Sequence, residues 1–130
     1  EITESVLMDE YEHKNVILSE LKALGCKISM DDFGTGYSSL SYLWKFSFDK
    51  IKIDRSFIQA LPDPTAKEII QAILGIASIR AMTVTVEGVE TAAQLQMVCK
   101  MGCSEAQGFY LGRPHPQVIT DGQGVAFAWD

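Results

Sequence analysis

Asp31-Asp32-Phe33-Gly34-Thr35-Gly36-Tyr37-Ser38-Ser39-Leu40 is the stretch whose reading decides the fold. Just before it, Cys26-Lys27-Ile28-Ser29-Met30 is short, largely apolar and bounded by Gly25, which predicts a buried strand. Two adjacent carboxylates therefore stand where a strand gives way to a loop. Neighbouring strand residues face opposite sides of a sheet, but a strand end can splay and let both acids reach one pocket. Gly34 and Gly36 allow backbone angles closed to other residues, and Ser38 or Ser39 can cap a helix that follows. Like charges side by side repel, so either a raised pKa or a cation between them is expected. The pair alone leaves a second reading open, a solvated turn with two capping acids.

Upstream, Val16, Ile17, Leu21 and Leu24 recur at helical spacing over residues 12–24, and Gly25 supplies a stop. Glu1-Ile2-Thr3-Glu4-Ser5 opens as if a strand had just finished. Downstream, Leu40, Leu43 and Trp44 predict a short helix, and residues 49–54 alternate polar and apolar as a two-faced strand does. Asp63-Pro64 is an N-cap followed by proline at the first helical position. The helix it opens is expected to turn Ile69, Ile70, Ile73, Leu74 and Ala77 inward. Ala81 stands where glycine would end that helix without strain. Thr83-Val84-Thr85-Val86 is β-branched and predicts a strand leading into Glu87-Gly88-Val89-Glu90. Thr91 and Gln94 have capping-box spacing for a helix running past Leu95 and Val98 to Gly102. Gln107 to Leu111 reads as a last strand, closed by Gly112-Arg113-Pro114. Residues 118–130 form a tail that is turn-like at 121–124 and undecided between strand and coil after that.

Strand then helix, four times over, predicts parallel strands joined by right-handed crossovers. Polar residues gather at the C-terminal end of each strand: Asp31 and Asp32, then Lys52, then Glu87, then Gln107. A TIM barrel carries its chemistry there, whereas a doubly wound sheet would be marked by a G-x-G-x-x-G opening a helix, which the chain lacks. The expected fold is α/β, the C-terminal half of a TIM-type (β/α)8 barrel with four parallel β/α units over residues 1–117. Four strands cannot close a barrel. Such a half should expose two sheet edges and an apolar inner face, and so should need the missing half, a second copy of the chain or a rearranged fold.

A chain of 130 residues, 47% hydrophobic, is one packed domain or part of one, and is not disordered. Its net charge of -6 argues against a nucleic-acid polymer as direct partner. A small phosphodiester still fits where divalent cations bridge it to the acids. Cys26, Cys99 and Cys103 form no C-x-x-C pair and read as reduced, buried thiols of a cytoplasmic protein. No apolar run reaches membrane-spanning length and no signal peptide is visible, although a parent protein could be anchored elsewhere. The first residue is Glu rather than Met, so the chain reads as a segment of something longer. His13 and His115 are isolated and read as surface residues, while Tyr37, Tyr42 and Trp44 read as packing groups.

Five strings, in order and near the usual spacing, resemble the EAL family of bacterial cyclic-dinucleotide phosphodiesterases. They are Glu1 to Ser5, Asp31 to Leu40, Lys50-Ile51-Lys52-Ile53-Asp54-Arg55-Ser56-Phe57, Glu87 to Thr91, and Gln107-Gly108-Phe109 with Arg113-Pro114. The resemblance runs to about residue 116 and covers the second half of a family domain. It implies hydrolysis of the second messenger cyclic di-GMP to the linear dinucleotide pGpG at a site holding two Mg²⁺ or Mn²⁺ ions. By the same resemblance, Glu1 is a ligand of the first metal, Asp31 is shared by both, and Asp32 and Glu87 serve the second. Lys52 positions the attacking water and offsets charge on the phosphate. Gln107 sits at the pocket rim, Phe109 with Tyr110 offers a stack for a guanine, and Glu4 and Glu90 hold loops in place.

Each residue also has a plainer reading: Lys52 a snorkelling surface lysine, Glu87 and Glu90 a solvated helix start, Gln107 a partner for backbone groups. The Glu-Ala-Leu tripeptide, the asparagine that follows it and a substrate-gripping arginine are expected in the family and absent from this sequence. Glu1 and Asp31 are then the remaining ligands of the first metal. The chain by itself should bind metal weakly and turn over little or no cyclic di-GMP. The alternative is a degenerate module that binds cyclic di-GMP or docks a protein without catalysis.

Overall fold

The computed structural model describes residues 1–7, 11–35, 39–114, 119–120 and 126–127, apart from the side chains of Glu4, Tyr11, Ser39 and the last two segments. The elements run β1 (Ile2–Thr3), α1 (Glu4–Leu7), α2 (Tyr11–Ala23), β2 (Ser29–Phe33), α3 (Ser39–Lys45), β3 (Lys50–Ile53), α4 (Arg55–Gln59), α5 (Pro64–Ile79), β4 (Thr83–Val86), α6 (Ala92–Met101) and β5 (Glu105–Ala106). These five strands pair in sequence order and all in parallel. Ile119–Thr120 and Ala126–Phe127 form a separate antiparallel pair within residues 118–130. Among the described residues no helix is long and apolar enough to cross a membrane.

Local signals place most element ends. Asp63 accepts a hydrogen bond from Thr65 N at 2.7 Å and opens α5 with Pro64 in its first turn. Thr91 and Gln94 form the full capping box of α6, and Gly102 closes that helix in the left-handed region. Ala81 takes φ 54 after α5, the strain expected of a residue standing in for glycine. α4 was not anticipated, although Asp54 caps it through Ser56 N at 2.9 Å.

Two strands fall elsewhere than predicted. β2 begins at Ser29 rather than Cys26, because Cys26 N still bonds the end of α2 at Leu21 O and Ile28 N is taken by the Asp49 carboxylate. The last strand of the parallel sheet is Glu105–Ala106, not residues 107–111. At Gly108 the chain presses onto Val89, where a Cβ would lie 2.2 Å from the carbonyl oxygen. Tyr110 N then bonds Val89 O and Leu111 N bonds Gly108 O, which turns the chain out of the sheet. At the N-terminus, Ile2 and Thr3 pair with Met30 and Asp31, so the opening residues are strand rather than its aftermath.

The face of the sheet carrying Met30, Ile51, Ile53, Val84 and Val86 packs against Ile58, Ile70, Ile73, Ala77 and Val98 from the helices. Fully burying each valine, isoleucine or methionine among them is worth about 1.5–3 kcal/mol. Ile69 lies outside this core at 41% exposure, and Trp44, expected to pack, is 83% exposed. Tyr42 does pack, tilted against Phe46 at 6.3 Å. Cys26 and Cys99 are free but exposed and only Cys103 is partly covered, so the thiols are not a buried set. His13 is exposed, and Tyr37, Ser38 and His115 lie outside the described residues.

The opposite face corrects the expectation of an apolar interior. The register sets Ser29 beside Lys50, Lys50 beside Thr83, Lys52 beside Thr85 and Thr85 beside Glu105, so all of these share one side. That side is polar from β2 to β5.

Candidate functional site

Alternation alone would send Asp31 and Asp32 to opposite faces of β2. The register between β2 and β3 advances from Met30↔Ile51 to Phe33↔Ile53, one residue more on β2 than on its partner. That is a bulge, and Asp32 sits in it at φ 52, a left-handed conformation that aspartate tolerates better than most residues. The result is that Asp31, Asp32 and Glu87 each offer a carboxylate oxygen, all within 4.8 Å of one another.

The two loops that carry these acids are both braced by α4. Gly34, at φ 97, lies against the Phe57 ring, and Gly88, at φ 75, lies against Arg55. A Cβ at either position would come within 2.7 Å of those side chains. Sequence reasoning missed this brace, although the Asp-x-Ser cap at Asp54 and Ser56 was the available signal. Asp32 is further held by Thr35, whose N and Oγ1 donate to the Asp32 carbonyl.

Lys52 projects from β3 into the middle of the cluster and is 4% exposed, which rules out a snorkelling surface lysine. Its Nζ lies 2.9 Å from Glu87 Oε1, 3.0 Å from Glu1 Oε1 and 3.5 Å from Asp31 Oδ1. Burial disfavours the ammonium, but hydrogen bonds to Glu87 and Glu1 and the Asp31 charge outweigh it and hold the lysine pKa above its usual range. Burial pushes the Glu87 carboxyl up; Lys52 pulls the other way, and the charges of Asp31 and Asp32 add to the rise. Three carboxylates, Glu1, Asp31 and Glu87, thus share one ammonium, with Asp32 close to two of them. A divalent cation would relieve such a deficit, and the hard oxygen donors converging from the ends of β2 and β4 suit one.

Gln107 follows β5; its N bonds Val86 O at 2.8 Å and its carbonyl accepts from Val89 N at 3.0 Å, which ties the end of β5 to the Glu87 loop. Phe109 is 57% exposed in the next turn, with the Arg113 guanidinium 4.5 Å from its ring centroid. Glu90 is exposed and its N bonds Gln94 Oε1 in the cap of α6. Glu4 opens α1, but its side chain lies outside the described part of the structure.

The sequence profile of the EAL domain matches residues 1–114. The cyclic di-GMP phosphodiesterase NbdA of Pseudomonas aeruginosa is 43% identical over an alignment covering all of this chain and 17% of NbdA. The crystal structure of the EAL domain of Mycobacterium smegmatis DcpA matches with a TM-score of 0.82 and 39% identity, over 87% of this chain and 51% of that one. A manganese and cyclic di-GMP complex of Klebsiella pneumoniae BlrP1 matches at 0.81 and 33% identity, over 86% of this chain and 29% of that one. The chain therefore spans about half the length of the DcpA structure and under a fifth of NbdA. Its parallel sheet and helices are the α/β architecture of the TIM-type EAL barrel, over part of that domain.

Proposed function

This chain belongs to the EAL domain family, and from that premise we propose that it carries the second half of a metal-dependent phosphodiesterase centre that converts cyclic di-GMP to pGpG. The supporting observation is the convergence of Asp31, Asp32 and Glu87 within 4.8 Å, beside a buried lysine that also meets Glu1. In this reading Glu1 and Asp31 hold one Mg²⁺ or Mn²⁺ ion, and Asp31, Asp32 and Glu87 hold a second. When bound, the ions lower the pKa of the attacking water and neutralise charge on the phosphate. Lys52 keeps its proton, so it serves as a fixed cation that orients the nucleophile and steadies the phosphate rather than as an acid. Gln107 and the Phe109 ring receive the dinucleotide at the rim, and Glu4 and Glu90 hold the flanking loops.

The remaining first-metal ligands and the substrate arginine belong to the other half of the barrel. The chain by itself is accordingly proposed to bind metal weakly and to hydrolyse little or no cyclic di-GMP. Mn²⁺ titration of the chain, followed by paramagnetic broadening of amide signals, tests the centre. Broadening confined to residues around Asp31 and Glu87, and abolished by Asp31→Asn, is the expected result; diffuse broadening insensitive to that substitution contradicts it. Restoring a first half-barrel from an EAL enzyme should then restore pGpG formation that Lys52→Met removes.

A further inference from the structure

On the same face of the sheet, beside the acid cluster, stands a second polar group, and we propose that Lys50, Thr85 and Glu105 position and electrostatically tune the centre next to them. This rests on the metal-site reading just given. Residues two apart on a strand share a face. Lys50 precedes Lys52 by two, Thr85 precedes Glu87 by two, and Glu105 precedes Gln107 by two. The register sets Thr85 level with both Lys52 and Glu105.

A single oxygen, Glu105 Oε2, accepts from Lys50 Nζ at 2.6 Å and from Thr85 Oγ1 at 2.6 Å. Lys50 and Glu105 stand two strands apart, roughly 9–10 Å, so both side chains lie across β4 to meet. Lys50 and Thr85 hold the Glu105 carboxyl below the usual carboxylate range, so the pair is ionised.

An ion pair of this kind is electrostatically quiet toward the centre only while both members are present. Without Glu105, an unpaired ammonium stands about 7 Å along the strand from Lys52 and repels a divalent cation. Without Lys50, an unpaired carboxylate attracts one. Glu105 and Lys50 are therefore positioning residues whose loss acts on metal affinity with opposite signs.

The test is the same Mn²⁺ titration of the 130-residue chain, comparing Glu105→Gln, Lys50→Met and the double variant, each first checked for native amide dispersion. Glu105→Gln should weaken Mn²⁺ binding by about three- to tenfold, Lys50→Met should strengthen it by a similar factor, and the double variant should return to within about twofold of the parent. A purely structural bridge would weaken binding in both single variants, and that result, or unchanged affinity in all three, overturns the proposal. Should Glu105→Gln not fold, the sign of the change in Lys50→Met decides alone. A parent chain without site-confined binding removes the metal-centre reading and this inference together; a parent that binds while its variants bind equally well removes this inference only.

Discussion

The two ends of one parallel sheet treat carboxylates in opposite ways. At the N-terminal end, the Asp49 carboxylate accepts from Ile28 N at 2.8 Å and pairs with Lys22 at 3.1 Å and Lys27 at 3.7 Å. The Ile28 hydrogen bond, opposed by burial and aided by the two lysines, holds its pKa below the usual carboxylate range. The Asp49 backbone also bonds Ile28 O and Thr83 N, so one residue ties the starts of β2, β3 and β4 together. At the C-terminal end, Glu87, Asp31 and Glu1 crowd one lysine with Asp32 beside them, and burial drives Glu87 the other way. One end is satisfied and stabilises the fold. The other holds like charges together, an arrangement that costs stability and that a bound cation would relieve. A TIM barrel separates stability from chemistry along the same axis.

The contrast between the two ends depends most on Lys52. Lys52→Met leaves its carboxylates without their ammonium, and urea denaturation without metal should show a loss of about 3–5 kcal/mol. Millimolar Mn²⁺ should recover part of that loss. If the variant is as stable as the parent in metal-free buffer, the charge deficit at this end has been overstated. Gly88→Ala forces a Cβ onto Arg55 at a left-handed position, and should cost about 1–3 kcal/mol while weakening Mn²⁺ binding, since α4 braces the Glu87 loop. A loss of stability with metal affinity untouched would detach the brace from the site.

The ends should also separate by pH. Asp49 has a depressed folded pKa, so its contribution is present above the unfolded value of about 3.9 and is lost as pH falls through the folded one. Asp49→Asn should therefore cost about 1–2 kcal/mol at pH 7 and converge with the parent in acid. Glu87 has a raised folded pKa, so its contribution is present below the unfolded value of about 4.3 and is lost as pH rises through the folded one. Glu87→Gln should thus be at least as stable as the parent at pH 7 without metal. Parallel pH profiles for the two variants would erase the contrast. The smallest effect belongs to the exposed Lys27, whose replacement by Met should change stability by less than about 0.5 kcal/mol.

What the sequence made legible was what short-range chemistry decides. The Asp63-Pro64 and Thr91-Gln94 caps and the β-branched run of β4 lie where the residues put them, because each signal and its partner sit within a few positions. The start of β2, the length of β5 and the polar inner face depend on contacts such as Asp49 with Ile28, Gly108 with Val89 and Lys50 with Glu105, which no local pattern contains. The cluster of Asp31, Asp32, Glu87 and Lys52 was visible as polar residues at strand tips. The device that aims both aspartates to one side, a bulge with Asp32 left-handed, was not, since nothing in Asp-Asp-Phe-Gly specifies the extra residue.

Anomalous diffraction at the manganese edge, from crystals of this chain grown with Mn²⁺, locates the ion relative to the three carboxylates. A manganese peak coordinated by Asp31, Asp32 and Glu87, with Lys52 turned toward its ligands, is the expected result. Manganese bound at Glu105 or on the outer surface, with those three carboxylates left bare, would contradict it.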